Sequence, residues 1–80
     1  MTPELLHYYE ERFAMMSTTG WKQLVEDVEE LKKSYELVSN VKSPDDLYFR
    51  KGQLDIIYWL LNLKEISEQA YEDLKREETI

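Results

Sequence analysis

Apolar residues recur along this chain at steps of three and four, and nowhere over a sustained run at steps of two. That is the period of a helix face rather than of a strand, and it predicts an all-α fold. The cleanest run is Trp21, Leu24, Val28, Leu31, Tyr35 and Val38, a heptad a/d seam widened by Val25. Such spacing lets helices pack at shallow angles, as in a coiled coil. Glu26, Asp27, Glu29, Glu30, Lys32 and Lys33 fill the opposite face, with Glu29 one turn before Lys33. A helix is predicted over about 20–39.

Before it, Leu5, Leu6, Tyr9, Phe13 and Met16 mark a first helix over about 3–16. Thr2 suits its N-cap, Pro3 its first helical position, and Glu4 the positive end of its dipole. Ser17-Thr18-Thr19-Gly20 ends it, and Thr18 or Thr19 can cap the next. After the second helix, Ser39-Asn40-Val41-Lys42 reads as a turn. Ser43-Pro44-Asp45-Asp46 then restarts a helix, with Ser43 as N-cap, Pro44 at the first position and two acids in the first turn. So short a connection predicts an antiparallel hairpin of the segments at about 20–39 and 44–62, with the first helix laid against it.

The third helix carries LDIIYWLLNL, from Leu54 to Leu63. A run apolar nearly all round must be covered on several sides, by this chain or by a second copy. It is too short for a bilayer, which needs about 20 residues. Gly52 interrupts the same helix at a cost of about 1 kcal/mol relative to alanine. It marks either the close approach of another backbone or a tolerated defect. Near Asn62 the pattern changes phase. Leu54, Ile57 and Leu61 form one stripe, while Ile56, Leu60, Leu63, Ile66, Ala70 and Leu74 form another. Asn62-Leu63-Lys64-Glu65 matches a cap followed by an acid at its third position. A kink or a separate fourth helix is therefore expected, over about 63–77, with Glu78, Thr79 and Ile80 fraying. All of this fits one helical domain across residues 1–80.

Composition narrows the function classes. Eighty residues bury a small core that often leans on a partner. There is no cysteine, so neither disulfides nor thiolate metal sites are available, which suits a reducing compartment. The opening MTPELLHYYEER lacks the basic, apolar, small-residue order of a signal peptide, so a soluble protein of the cell interior is expected. The formal charge is −7, from 17 acids against 10 Lys and Arg. No basic cluster offers phosphates a surface, so direct nucleic-acid binding is not expected. Residues 44–64 balance to neutrality, and the acid excess is greatest after residue 64. That tail reads as a solvated helix end.

Catalytic patterns are missing. His7 follows Glu4 in a Glu-x-x-His arrangement, but a di-iron bundle needs two such motifs and two further carboxylates. With no cysteine, no G-x-S-x-G elbow and two isolated glycines, neither a nucleophile nor a phosphate loop is legible. No enzyme activity, cofactor or metal is expected. Aromatics are abundant, and Tyr and Trp favour interfaces. More of them are present than two or three helices can hide. The expected interface residues are Trp21, Tyr35, Phe49, Arg50, Gly52, Gln53, Tyr58 and Trp59. Arg50-Lys51 is the one basic spot in the central region, set either for a partner's carboxylate or for neighbouring acids.

Three stretches carry a resemblance: FAMMSTTGWKQLVEDVEEL, LYFRKGQLDIIYWLLNL and EQAYEDL. With Gly20-Trp21-Lys22 opening one helix and Phe49-Arg50-Lys51-Gly52-Gln53-Leu54 leading into an apolar one, the chain resembles small helical proteins encoded by tailed bacteriophages. The resemblance spans roughly residues 13–74 and brings no known activity. It implies an accessory or virion-associated protein, in the host cytoplasm or the virion, and points to Arg50, Gly52 and Gln53 as positions to test. The leading expectation is a helical protein–protein interaction or assembly module, homo-oligomeric or docked on another protein, with no membrane partner. The contrasting expectation is an acidic, DNA-mimic-like inhibitor of a basic host enzyme.

Overall fold

The computed structural model describes residues 1–79, and of Thr79 the backbone alone. The chain is all-α: α1 spans Pro3–Met16, α2 Thr19–Tyr35, α3 Pro44–Leu61 and α4 Leu63–Thr79, with a single 3₁₀ turn at Val38–Asn40. No strand is present among the described residues. The chain divides into two compact units: Met1–Lys22 together with the chain from Asn62 onward, and Gln23–Leu61.

The first unit is built on α1 and α4, whose backbones approach each other. Thr2 starts α1 as expected, its hydroxyl accepting a hydrogen bond from the Leu5 amide at 3.1 Å, with Pro3 next to it. Only Ser17 and Thr18 separate α1 from α2, so Thr19 and Gly20 lie inside the second helix rather than in the break. Thr18 is the cap: its hydroxyl accepts from the Trp21 amide at 3.1 Å and donates to the Met15 carbonyl at 2.7 Å. Met1 pairs with Glu78, while Tyr9 and Phe13 meet Tyr71, so α1 and α4 run antiparallel. Tyr71 receives Tyr9 at 5.7 Å and Phe13 at 5.8 Å between ring centroids, both edge-on, the geometry that aromatic quadrupoles favour.

Met16, Leu63 and Ser67 are the buried side chains of this unit. On α4, Leu63, Ser67, Ala70 and Leu74 follow one helix face, the two small residues in the middle leaving room for α1. Ile66, expected on the inner stripe, is instead exposed, and Ser67 takes the inward position. The phase change at Asn62 is a real break: α3 stops at Leu61, and the Asn62 carbonyl accepts from the Ile66 amide at 2.9 Å to open α4. α4 continues through Glu78 and Thr79, which were expected to fray; the expectation for Ile80 falls outside the described residues.

In the second unit, α2 ends at Tyr35 rather than near residue 39, and Val38 leaves the seam at 83% exposure. The reason is local competition for the helix's last carbonyls. The Ser34 carbonyl accepts both the Leu37 amide (3.3 Å) and the Asn40 side-chain amide (3.3 Å), which turns the chain into the 3₁₀ segment. Ser43 then caps α3, its hydroxyl accepting from the Asp46 amide at 3.1 Å, while Asp46 reaches back to the Lys42 amide at 3.0 Å.

α2 and α3 meet as hairpin arms through side chains of the last turns of α2 and of Glu36 just after it. Tyr58 donates to Glu36 at 2.8 Å, Lys32 lies over the Tyr58 ring, and Arg50 lies over the Tyr35 ring. The heptad seam is not covered along its length. Val28 is buried and Tyr35 half-buried, but Leu24 and Leu31 are exposed. Cover of the Leu54–Leu63 run is likewise partial: Leu54, Ile57, Leu60 and Leu61 are half-buried, whereas Ile56 and Trp59 stand out.

Candidate functional site

Two grooves flank α3 within the second unit. The first, of about 500 Å3, lies between α3 and the loop that carries the 3₁₀ turn. Tyr35, Val38, Val41, Leu47, Tyr48, Leu54 and Tyr58 give it an apolar wall, with Glu36, Arg50, Lys51 and Asp55 at its edge. Arg50 is held by its stack on Tyr35, centroid distance 5.4 Å, and by Asp46, whose carboxylate oxygen is 4.0 Å from Nε. That Nε is buried and has no hydrogen-bond partner. Lys51 is committed to Asp55 at 3.5 Å. The hydrogen bond to Glu36, followed by desolvation, pushes the Tyr58 phenol above its ordinary range, because a phenolate there would lose its donor and face a carboxylate.

The second groove, of about 700 Å3, is lined by Leu31, Tyr35, Tyr48, Phe49, Gly52, Gln53, Ile56 and Ile57. No lining residue is charged, in a chain that is 34% charged. Its side chains stand in the open: Tyr48 is 72% exposed, Phe49 67% and Ile56 67%. Phe49, Gly52, Gln53 and Ile56 follow the i, i+3, i+4, i+7 rule and so share one stripe of α3. Gly52 has a helical backbone with no positive φ, and a Cβ built on it would meet nothing within 4 Å. The expectation of a backbone approaching Gly52 is therefore not met within this chain.

Of the eight expected interface residues, Tyr35, Phe49, Gly52 and Gln53 come together in the second groove, and Tyr35, Arg50 and Tyr58 in the first. Trp59 lines neither; it sits half exposed on α3. Trp21 belongs to the first unit, half-buried in the first turn of α2. Val38, Val41, Leu47 and Tyr48 were not singled out as interface residues. Their only signal in the sequence was an apolar character on both sides of a turn, which looked like helix seam before and helix start after.

His7 is exposed on α1, its Nε2 3.8 Å from Glu11. No group of three or more metal-ligating side chains is placed to hold an ion among the described residues. No described helix is long and apolar enough to cross a membrane. What the arrangement offers chemically is an uncharged, aromatic-rich surface beside one stacked guanidinium. No family model matches the chain, nor does any curated protein or solved structure.

Proposed function

We propose that this chain is a non-enzymatic helical module that assembles with protein, through the uncharged face of α3. One observation carries the reading. Tyr48, Phe49 and Ile56 lie bare around a groove without a single charge, although a third of the chain is charged. A contiguous apolar patch of this kind is how a docking surface differs from ordinary exposed leucines. The uncovered seam positions Leu24 and Leu31 add apolar surface on α2. The resemblance to tailed-phage helical proteins supports an accessory or virion-associated role.

The test is mass in solution by light scattering, across dilution and from low to high salt. Association through apolar burial persists at about 0.5 M salt, where the Debye length has contracted to a few ångströms. A chain that stays monomeric at every concentration, and retains no protein partner, refutes the reading.

A further inference from the structure

We infer that the first groove is a binding site for a small amphiphilic carboxylate, its acid group on the Arg50 guanidinium and its apolar body along the aliphatic wall. The inference goes beyond the assembly reading, since it concerns a different groove and a different class of ligand. Its basis is a cation that its own chain leaves short of acceptors. Arg50 lies over the Tyr35 ring at 5.4 Å, and its side chain is only 21% exposed. The acid beside it is Asp46, whose Oδ2 stays 4.0 Å from Nε. That same oxygen accepts the Lys42 amide at 3.0 Å, so the start of α3 claims it first. Nε is buried and finds no hydrogen-bond partner.

The other charges of the lining are answered within the chain. Glu36 accepts from Tyr58 at 2.8 Å and lies 3.8 Å from Lys32, and Asp55 faces Lys51 at 3.5 Å. Arg50 alone among them carries a buried donor without an acceptor. A charge drawn out of water and incompletely paired gains from a further carboxylate. The guanidinium offers its donors in one plane, and the Tyr35 stack fixes that plane for a bidentate acid. With Nε sealed, the terminal Nη pair is the edge that receives it. A bare anion is not enough, because the chain as a whole carries −7. The remaining energy comes from Val38, Val41, Leu47 and Leu54, which give the groove an aliphatic wall. Its volume of about 500 Å3 falls within the roughly 300–1,000 Å3 of small-molecule sites, which pair an apolar lining with a few placed polar groups. Size, wall and cation together select a free aliphatic acid of medium chain length.

The probe is octanoate, titrated calorimetrically into the full chain, with octanol as its neutral match and acetate as the acid without an apolar body. Octanoate binds about tenfold or more tighter than either. In heteronuclear NMR it moves the Arg50 Nε–H resonance and the amides of residues 38–41. Arg50→Gln, with helicity checked by circular dichroism, loses about tenfold or more for octanoate and little for octanol. Arg50→Lys keeps the charge without the fork and falls between the two. Val38→Asp reads the site without touching Arg50: at 83% exposure the change leaves the fold intact, and its carboxylate weakens octanoate more than octanol. Octanoate and octanol of equal affinity overturn the carboxylate assignment. Octanoate binding that neither Arg50→Gln nor Val38→Asp weakens, or resonance shifts confined to the second groove, overturn the site. No octanoate binding at millimolar concentration overturns the inference and leaves the assembly reading standing.

Discussion

Tyr71→Ala tests the packing of α1 against α4. The Tyr71 ring holds the edges of Tyr9 and Phe13 at 5.7 and 5.8 Å and carries the Lys75 ammonium 4.8 Å from its centroid. Each aromatic pair contributes about 0.5–1.5 kcal/mol beyond burial, and a surface cation–π contact about 0.5 kcal/mol. The ring is half-buried, so its truncation also returns on the order of 100 Å2 of apolar surface to water, worth about 2 kcal/mol. Because these contributions overlap, the expected loss is about 3 kcal/mol. A chain of 80 residues has roughly 4–12 kcal/mol of stability in all. With a slope near 1 kcal/mol per molar urea, the midpoint falls by about 3 M. The assay is urea unfolding followed at once by far-ultraviolet dichroism and by tryptophan fluorescence. Trp21 reports the first unit and Trp59 the second, so single-tryptophan backgrounds assign the loss. Tyr71→Phe keeps the ring and most of the stability. A loss below about 1 kcal/mol for the alanine variant, or one as large for phenylalanine, refutes the claim that ring contacts hold α1 to α4.

Ser67→Leu forces a larger side chain into the buried small-residue stretch of α4 and should cost about 1–3 kcal/mol, read by thermal melting; a neutral result would mean α1 leaves slack there. Ser43→Ala removes the cap of α3 and should cost about 1 kcal/mol, with Ser43→Asn largely retaining stability. The hydrogen bond to Glu36 raises the Tyr58 phenol above its ordinary range. Since its folded pKa lies above the unfolded value near 10, the bond to Glu36 contributes fully below about pH 10, and its contribution fades as pH rises through the higher folded value. Difference absorbance of phenolate between wild type and Tyr58→Phe should show this late titration, and a tyrosine lost from the ordinary range instead would contradict it.

Capping chemistry and period made the four helices legible in the sequence, because Thr2, Thr18 and Ser43 act through atoms three residues away. The end of α2 was not legible. Val38 fits the seam perfectly by spacing, yet the Asn40 side chain takes the Ser34 carbonyl and stops the helix first. Pairing was harder still, since a heptad announces that a helix has a partner without saying which. Trp21 and Tyr35 read alike in the pattern but belong to different units. At the candidate site, Phe49, Gly52 and Gln53 were visible as an interrupted helix. The uncharged groove that joins them to Leu31 and Tyr48 depends on how α2 meets α3, which spacing does not encode.

Charge separates the assembly reading from the acidic-inhibitor reading by the sign of the salt effect. Several cations pair with neighbouring acids: Lys33 with Glu30, Lys51 with Asp55, Lys32 with Glu36, Arg50 with Asp46 and Arg76 with Asp73. Whatever the local pairing, the net charge of −7 acts at long range, as repulsion between two copies. For charge centres about 30 Å apart, that repulsion is roughly 7 kcal/mol in unscreened water. At 0.01 M salt, with a Debye length near 30 Å, about a third of it remains; at 0.15 M almost none does. The docking face itself carries no charge to lose. Dimerisation should accordingly tighten by about tenfold or more between 0.01 and 0.15 M salt and then stay level to about 0.5 M. An acidic mimic seated on a basic enzyme behaves oppositely, weakening steadily over the same range. Association that falls with every addition of salt would move the energy from the apolar face of α3 to the carboxylates, and the assembly reading would fall with it.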